Sequence, residues 1–369
     1  MIPAWSYFLN IFTIVNFTNE LCYSEEGMVG VCYHSSECHS LGGQPHGSCA
    51  QGFGVCCFVV RTCGESSVVN NTYITSAAVS QDMDSGVYIC SITIYKSHPS
   101  VVQFRLSFDN FQLAGPVEGN CVVDRFVVTG QNRNDIIPAI CGFNSGKHVY
   151  VDVDETEGPV SLTLLSSGAQ GVPRDLRVRV TQMTLGHPLL APRNCLQYYT
   201  EPRGSVESFN YDPAPTGSSS GYFNNLDYAI CFKKSPDGQC GIVYSNAAGG
   251  MEYPFQIVNR ESDGTSTVPE GQAGAESFDC PDDYISTSTI KLCGYKLNDG
   301  STTIDYSKNS PVEDKTNGPL ILRFHTNENV TGHGFRLDYM LTCYSGAGSV
   351  TSPSIPALPE AVTRIPLPV

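Results

Sequence analysis

Sixteen cysteines constrain the fold of this 369-residue chain more than any other feature, because they occur in blocks of even number. The first block comprises Cys22, Cys32, Cys38, Cys49, Cys56 and Cys57. The later cysteines are Cys63, Cys90, Cys121, Cys141, Cys195, Cys231, Cys240, Cys280, Cys293 and Cys343. Even blocks indicate modules that each close their own disulfides, which form in an oxidising compartment. The short C-x2-4-C knuckles of zinc sites do not occur, so disulfides are the preferred interpretation.

The charge balance bears on the partners that the chain can bind. It has 36 acidic and 21 basic residues, and its formal net charge is −15. This balance disfavours nucleic acids and anionic membrane surfaces, which are bound through clustered Lys and Arg. The abundance of Gly (35) and Pro (23) is typical of many short strands joined by tight turns.

Both ends of the chain differ in composition from the rest. Residues 1–19 are expected to be a signal peptide, since the apolar stretch 2–15 is too short to span a bilayer, although no basic residue precedes it. Residues 346–369 are rich in Pro and Ser and are expected to be disordered. No later stretch is apolar enough to span a membrane. Glycosylation sequons at Asn70 and Asn329 agree with a secreted glycoprotein.

Residues 61–184 show an alternation with a period of two. In the segment 102–109, Val102, Phe104, Leu106 and Phe108 alternate with polar residues. Such alternation predicts strands with one buried and one solvated face, as in an antiparallel sandwich. The expected fold class is therefore all-β.

Residues 20–60 hold six cysteines and almost no regular apolar period. A segment this small needs disulfides to hold it together, and six cysteines can pair in 15 ways. The spacing, which ends in the doublet Cys56-Cys57, resembles the clip domain of arthropod proteases and protease homologues.

Residues 61–184 resemble a CUB domain, a jelly-roll of two antiparallel sheets. The resemblance is carried by Cys63-Gly64, Cys90-Ser-Ile-Thr-Ile, the strand that ends at Phe108 and Phe111, Cys121-x-x-Asp124, and Cys141-Gly142. Residues 185–345 repeat this plan with longer loops and are predicted to form a second CUB-like domain. The matching motifs there are Gly204-Ser-Val-Glu-Ser-Phe-Asn-Tyr211, Cys280-Pro-Asp-Asp283 and Cys293-Gly294.

These resemblances imply a complete set of disulfides. The implied pairs are Cys22 with Cys56, Cys32 with Cys49, Cys38 with Cys57, Cys63 with Cys90, Cys121 with Cys141, Cys195 with Cys231, and Cys280 with Cys293. Cys343 shares the parity of the apolar residues Phe335, Leu337 and Tyr339, which is suited to a buried disulfide. Its expected partner is Cys240, at the start of another strand.

Many CUB domains hold calcium in a cluster of loop carboxylates, and calcium is the one cofactor that the resemblance suggests. In the first domain, Asp124 and Asp154 match two family ligands and are expected to converge on a weak site. Ala114 stands where the family has Glu, with Glu118 nearby. In the second domain only Asp283 matches, because Asn327 replaces the other aspartate and only Glu276 lies near the Glu position. The alternative is that these carboxylates cap turns and face solvent.

No catalytic constellation fits the chain. The runs around a trypsin-type serine and histidine are missing, and H-E-x-x-H does not occur. A G-x-S-x-G sequence at 217–221 lies in a Pro/Gly/Ser loop rather than between a strand and a helix, so it is read as a coincidence. The expected function is non-catalytic recognition of extracellular proteins or glycans. The alternatives are regulation of a serine-protease cascade and a structural role in matrix or cuticle.

Overall fold

The structure, a computed structural model, describes most of the chain apart from its ends and several loops. The described residues are 16–25, 27–76, 86–168, 174–211, 221–234, 239–247 and 254–344. They consist mainly of β-strands and loops, and both α-helices among them, α1 (Ser35–Ser40) and α2 (Glu276–Asp279), are short. The all-β class expected from the sequence is confirmed. Most of the expected signal peptide, the whole tail 346–369 and Ser219 of the G-x-S-x-G sequence lie outside the described residues.

The N-terminal module is a small antiparallel sheet held by three disulfides. Its strands are β1 (Leu21–Tyr23), β2 (Val29–Tyr33), β3 (Gly43–Cys49) and β4 (Gly54–Arg61). The strand β4 pairs with both β2 and β3, so the cysteine doublet in β4 reaches Cys22 and Cys38. A disulfide-rich N-terminal region is thus present, as the sequence indicates.

The sheet of this module continues into the next domain. The end of β4 pairs in parallel with β6 (Thr72–Thr75), and Val60 lies opposite Tyr73. The Tyr73 hydroxyl accepts a hydrogen bond from the Val29 N–H (2.9 Å) and donates one to the Val29 carbonyl (3.1 Å). The boundary predicted between residues 60 and 61 therefore falls inside a strand rather than in a linker.

The N-terminal module and the first sandwich share one eight-stranded sheet, which we call the long sheet. The first sandwich packs a four-stranded sheet on the part of the long sheet that belongs to this domain. The latter part has β6 (Thr72–Thr75), β12 (Asp175–Thr184), β8 (Val101–Gln112) and β10 (His148–Asp152), in that order. The facing sheet has β5 (Ser66–Ser67), β7 (Tyr88–Ile94), β11 (Val160–Ser166) and β9 (Asp124–Thr129). Alternation along β11 buries every second residue, and Phe108, Phe111 and Phe126 meet in the core, partly edge to face.

The second sandwich follows after a linker. One sheet has β13 (Gln197–Tyr199), β15 (Asp227–Phe232), β22 (Leu320–His325), β19 (Tyr284–Ser286), β20 (Lys291–Gly294) and β18 (Ala273–Ala275), in that order. The other has β14 (Arg203–Glu207), β23 (Gly334–Tyr344), β16 (Gln239–Asn246) and β21 (Val312–Asp314), and β17 (Phe255–Gln256) also pairs with β23. Among the described residues, no helix is long and apolar enough to cross a membrane.

All sixteen cysteines form disulfides in this structure. The pairs are Cys22–Cys56, Cys32–Cys49, Cys38–Cys57, Cys63–Cys90, Cys121–Cys141, Cys195–Cys231, Cys240–Cys343 and Cys280–Cys293. These are the partners that the sequence analysis names. Burial differs from expectation at one of them, since Cys240 is buried whereas Cys343 is exposed. The apolar face of β23 loses its cover near the end of the strand, where Leu341 is already only half-buried.

We predict that Tyr73→Phe loosens the N-terminal module from the first sandwich. The variant loses both hydrogen bonds to Val29, which should lower the free energy of unfolding by about 1–3 kcal/mol. Hydrogen exchange should become faster in β1 and β2 while the second sandwich is unchanged. The matched control is Tyr23→Phe, because Tyr23 is 69% exposed. Equal protection of β1 and β2 in both variants would contradict the prediction.

Candidate functional site

Asp124 is the best-buried carboxylate among the expected calcium ligands. It lies at the start of β9 and is fully buried, with Oδ2 accepting hydrogen bonds from the Ala114 N–H (2.9 Å) and from Arg174 Nε (2.7 Å). The side chain of Arg174 is itself only 5% exposed. The chain thus supplies its own positive charge next to this carboxylate, where the family resemblance implies calcium. Glu118, the substitute for the missing Glu, is exposed on a turn.

Asp154 lies at the other end of β9. Asn132, just beyond the end of this strand, donates hydrogen bonds to the carbonyls of Asp152 (2.7 Å) and Asp154 (3.1 Å). The strand between spans about 16 Å, since each of its residues adds roughly 3.3 Å. Asp154 forms an ion pair with Arg193, whereas Asp124 forms one with Arg174. The two aspartates therefore do not converge, which corrects the expectation of a shared site.

Asp283 occupies in the second sandwich the position that Asp124 has in the first, three residues after a cysteine. It is buried without a cation: its Oδ2 accepts the Tyr222 hydroxyl (2.7 Å) and its Oδ1 accepts the Asn327 N–H (2.7 Å). Burial raises the pKa of Asp283 to about 6. Neutral donors thus satisfy this carboxylate, and Glu276 is exposed on α2 rather than turned to Asp283.

No metal cluster is formed by the part of the chain that the structure describes. Among those residues, three or more His, Cys, Asp or Glu side chains nowhere meet in an arrangement that could hold a metal ion. Sequence reasoning singles out Asp124 and Asp283 but does not find their partners Arg174 and Tyr222. Tyr222 is fully buried and belongs to the core of the second sandwich.

Reciprocal hydrogen bonds join the two sandwiches. The Asn144 side-chain oxygen accepts the Asn210 N–H (2.8 Å), and the Asn210 side-chain oxygen accepts the Phe143 N–H (3.0 Å). Gly142 lies against Asn210 with a φ of +71°, and a Cβ there would collide with the Asn210 side-chain oxygen. The close contact therefore requires glycine at position 142.

A buried ion pair lies in the same interface. Lys147 Nζ is 2.9 Å from Glu207 Oε2, and the lysine side chain is only 6% exposed. Arg336 Nε approaches the other Glu207 oxygen at 3.3 Å. Burial lowers the pKa of Lys147, and Glu207 opposes this effect. Removing Glu207 would leave the buried Lys147 charge uncompensated, which is far more costly than the pair itself.

Neighbouring contacts extend the interface along β10. The Tyr150 N–H donates to the Leu196 carbonyl (2.9 Å), and the Tyr198 N–H donates to His148 Nε2 (3.1 Å). Burial lowers the pKa of His148 to about 3, so its ring is neutral and accepts this hydrogen bond at physiological pH. Buried apolar residues of both sandwiches form one contiguous cluster. The two sandwiches are packed as a unit.

Comparison with known families identifies the second sandwich. The family model of the animal CUB domain matches residues 192–342. These residues include β13 to β22 and most of β23. The chain therefore contains a CUB domain in this region, and CUB domains generally mediate interactions between extracellular proteins. No curated protein matches the chain.

Several solved structures resemble the chain at low identity. The CUB1-EGF-CUB2 domains of rat MASP-1 are 14% identical, with 75% of this chain and 99% of that chain covered and a TM-score of 0.24. The CUB1-EGF-CUB2 domain of human MASP-1/3 is 15% identical, with 70% and 94% covered and a TM-score of 0.25. The full extracellular region of zebrafish Gpr126/Adgrg6 is 14% identical, with 77% and 36% covered and a TM-score of 0.25. These TM-scores are too low to support any inference about this chain.

We predict that Gly142→Ala separates the two sandwiches. The added Cβ collides with Asn210, so the interface opens and the chain becomes more extended and unfolds in two steps rather than one. Small-angle scattering and urea unfolding measure both effects. Gly146→Ala is the matched control, because Gly146 has a φ of +82° but a Cβ there would meet no atom within 4 Å. Identical scattering profiles for the two variants would refute the role of this contact.

We predict that Asp283→Asn flattens the pH dependence of stability. The pKa of Asp283 is about 6 in the folded chain and near 3.8 in the unfolded chain, so between pH 4 and 6 the folded state binds more protons. The free energy of unfolding should therefore fall as pH rises through this window, by at most about 3 kcal/mol from this group. Asp135, whose pKa is also about 6, contributes in the same direction and remains in the variant.

Urea unfolding of the wild type and of Asp283→Asn at pH 4, 5, 6 and 7 tests this prediction. The asparagine can still accept the Asn327 N–H, so the variant should fold. Glu270→Gln, which removes an exposed carboxylate, is the control; Asp282 is unsuitable because its charge contributes to the raised pKa of Asp283. If Asp283→Asn keeps the wild-type slope, Asp283 does not titrate as described.

Proposed function

We propose that the chain is a secreted, non-catalytic protein that binds other extracellular proteins through its CUB domain and the sandwich packed against it. The match of residues 192–342 to the animal CUB family is the observation that carries this proposal. The eight disulfides agree with an extracellular location, since such bonds persist in oxidising compartments. Glycans remain a second class of ligand.

The first sandwich is proposed to be a second CUB domain, in residues 61–184. Both sandwiches carry a disulfide whose first cysteine lies three residues before a buried aspartate, Cys121–Cys141 with Asp124 and Cys280–Cys293 with Asp283. This likeness within one chain supports the proposal. The proposed organisation of the chain is a signal peptide (1–19), a disulfide-rich module (20–60), two CUB-type domains (61–184 and 185–345) and a Pro-rich tail (346–369).

The N-terminal module supports a more specific alternative. Its disulfides Cys22–Cys56, Cys32–Cys49 and Cys38–Cys57 have the connectivity implied by a clip-like module of an arthropod protein. A non-catalytic chain with such a module would regulate an extracellular serine-protease cascade. The other alternative is a structural component of matrix or cuticle.

Secretion gives a testable prediction about the two sequons. Asn329 is exposed between β22 and β23, whereas the Asn70 side-chain oxygen accepts the backbone N–H groups of Asn71 (2.9 Å) and Gln182 (2.7 Å). We expect Asn329→Gln to reduce the mass of the secreted protein by one glycan, and Asn70→Gln to destabilise it by about 1–2 kcal/mol because Gln182 loses an acceptor. Mass spectrometry before and after glycosidase treatment measures the first effect. A wild-type protein without glycan at Asn329 would contradict the prediction.

Affinity capture from native extracellular fluid tests the function itself. The oxidised chain is immobilised, and the reduced and alkylated chain is the control that shares its composition but lacks its disulfides. Proteins retained only by the oxidised chain support recognition; serine proteases among them favour the cascade, and retention of the chain on chitin favours the matrix. No specific retention, or turnover of peptide or ester substrates by the purified chain, would contradict the proposal.

A further inference from the structure

A cleft opens between the two sandwiches where the linker joins them. It has a volume of about 490 Å³ and continues into a smaller cavity of about 100 Å³. The walls are the loop at 134–136 of the first sandwich, the linker residues 193–196, and parts of β15 and β22 of the second. The disulfide Cys195–Cys231 also lines it. We call this space the intersandwich cleft.

The arginines that line the cleft are already paired. Arg323 holds Asp227 with two hydrogen bonds, from Nε (2.6 Å) and from a terminal nitrogen (2.7 Å). Arg193 is paired with Asp154 at the smaller cavity. Their positive charges are thus matched by these two carboxylates.

Asp135 lies where the two cavities meet and lines both of them. Its Oδ2 accepts the Asp152 N–H (2.7 Å), which fixes the carboxyl group in the cleft wall. Among the described residues, no Lys, Arg or His is within ion-pair distance of this carboxylate. Burial raises the pKa of Asp135 to about 6; the negative charge of Asp152 acts in the same direction, and the hydrogen bond from the Asp152 N–H opposes it. At neutral pH the cleft therefore holds a desolvated, negatively charged group without a counter-charge.

Apolar surface lies next to this charge. Ile136, which follows Asp135, is 79% exposed, and Leu196, Tyr228 and Ile321 line the larger cavity. A long side chain with an apolar stem and a cationic end matches this combination. A metal ion does not, because the described residues here bring no three metal-ligating side chains together.

We propose that the intersandwich cleft binds an arginine or lysine side chain of a protein partner. The cationic group of this side chain pairs with Asp135, and its apolar stem packs on Ile136. The identity of the occupant as a protein rests on the function proposed above. The net charge of −15 favours approach of a basic partner. Because the walls belong to both sandwiches, the cleft depends on the interface that packs them together, which includes the contact between Asn144 and Asn210.

A small probe tests the site without the native partner. N-acetyl-arginine amide is titrated into the full chain at pH 7.5 and binding is measured by saturation-transfer NMR, with N-acetyl-citrulline amide as the neutral analogue of the same shape. We expect the citrulline compound to bind at least about tenfold more weakly, since it cannot form the charge-assisted hydrogen bonds. Equal binding of both compounds would overturn the proposal.

Variants locate the binding. Asp135→Asn retains an acceptor for the Asp152 N–H and should fold, yet it should weaken binding of the arginine compound about tenfold or more. Glu270→Gln removes an exposed carboxylate outside the cleft and should bind like the wild type. Gly142→Ala, which opens the interface, should also lose binding. Unchanged binding in Asp135→Asn, or thermal stabilisation of the wild type by calcium but not by the arginine compound, would refute the site.

The two proposals can fail separately. If the arginine compound binds through Asp135 but capture from extracellular fluid retains nothing, the site stands and the proposed function fails. If capture succeeds while Asp135→Asn binds the compound as tightly as the wild type does, the function stands and the site fails.

Discussion

The hydrogen bonds of Asn210 with Phe143 and Asn144 hold the two sandwiches in close contact. They place two backbone segments so close that position 142 has no space for a Cβ, and Lys147 is buried against Glu207 in the same interface. The lysine also depends on this arrangement, because a buried lysine without its partner would be strongly destabilising. The intersandwich cleft and the alignment of β10 with the linker depend on this arrangement.

Two related positions show how the same buried aspartate can be satisfied in different ways. Asp124 is neutralised by Arg174, whereas Asp283 receives hydrogen bonds from Tyr222 and the Asn327 backbone. Burial among neutral donors raises the pKa of Asp283. Equivalent carboxylates are thus satisfied by a charged partner in one sandwich and by neutral donors in the other.

Local pattern was sufficient to predict the strands. The alternation of apolar residues in 102–109 reappears in β8, where Phe104, Leu106 and Phe108 are buried. In β10, however, His148 and Tyr150 on the opposite face are buried as well, because they lie against Tyr198 and Leu196. The pattern says nothing about distant partners, and for that reason it does not reveal the arginine next to Asp124 or the tyrosine next to Asp283. Asp154 matched a motif by its position in sequence, yet a whole strand separates it from Asp124 in space.

Contacts between modules were also beyond the reach of the sequence. Neither the pairing of β4 with β6 nor the burial of His148 against Tyr198 has a local signal, since each depends on two segments from different modules. Parity placed Cys343 on the apolar face, but burial there ends before the strand does. The period of the pattern predicts on which face of a strand a residue lies, but it does not predict how deeply that residue is buried.

The pairing of β4 with β6 has a consequence for any fragment of this protein. A chain that begins at residue 62 would present the outer edge of β6, with its unpaired N–H and C=O groups, to solvent. An uncovered edge of this kind is a template for pairing with strands of other molecules, which leads to aggregation. The N-terminal module therefore covers this edge of β6, and the strands of other molecules cannot pair with it there.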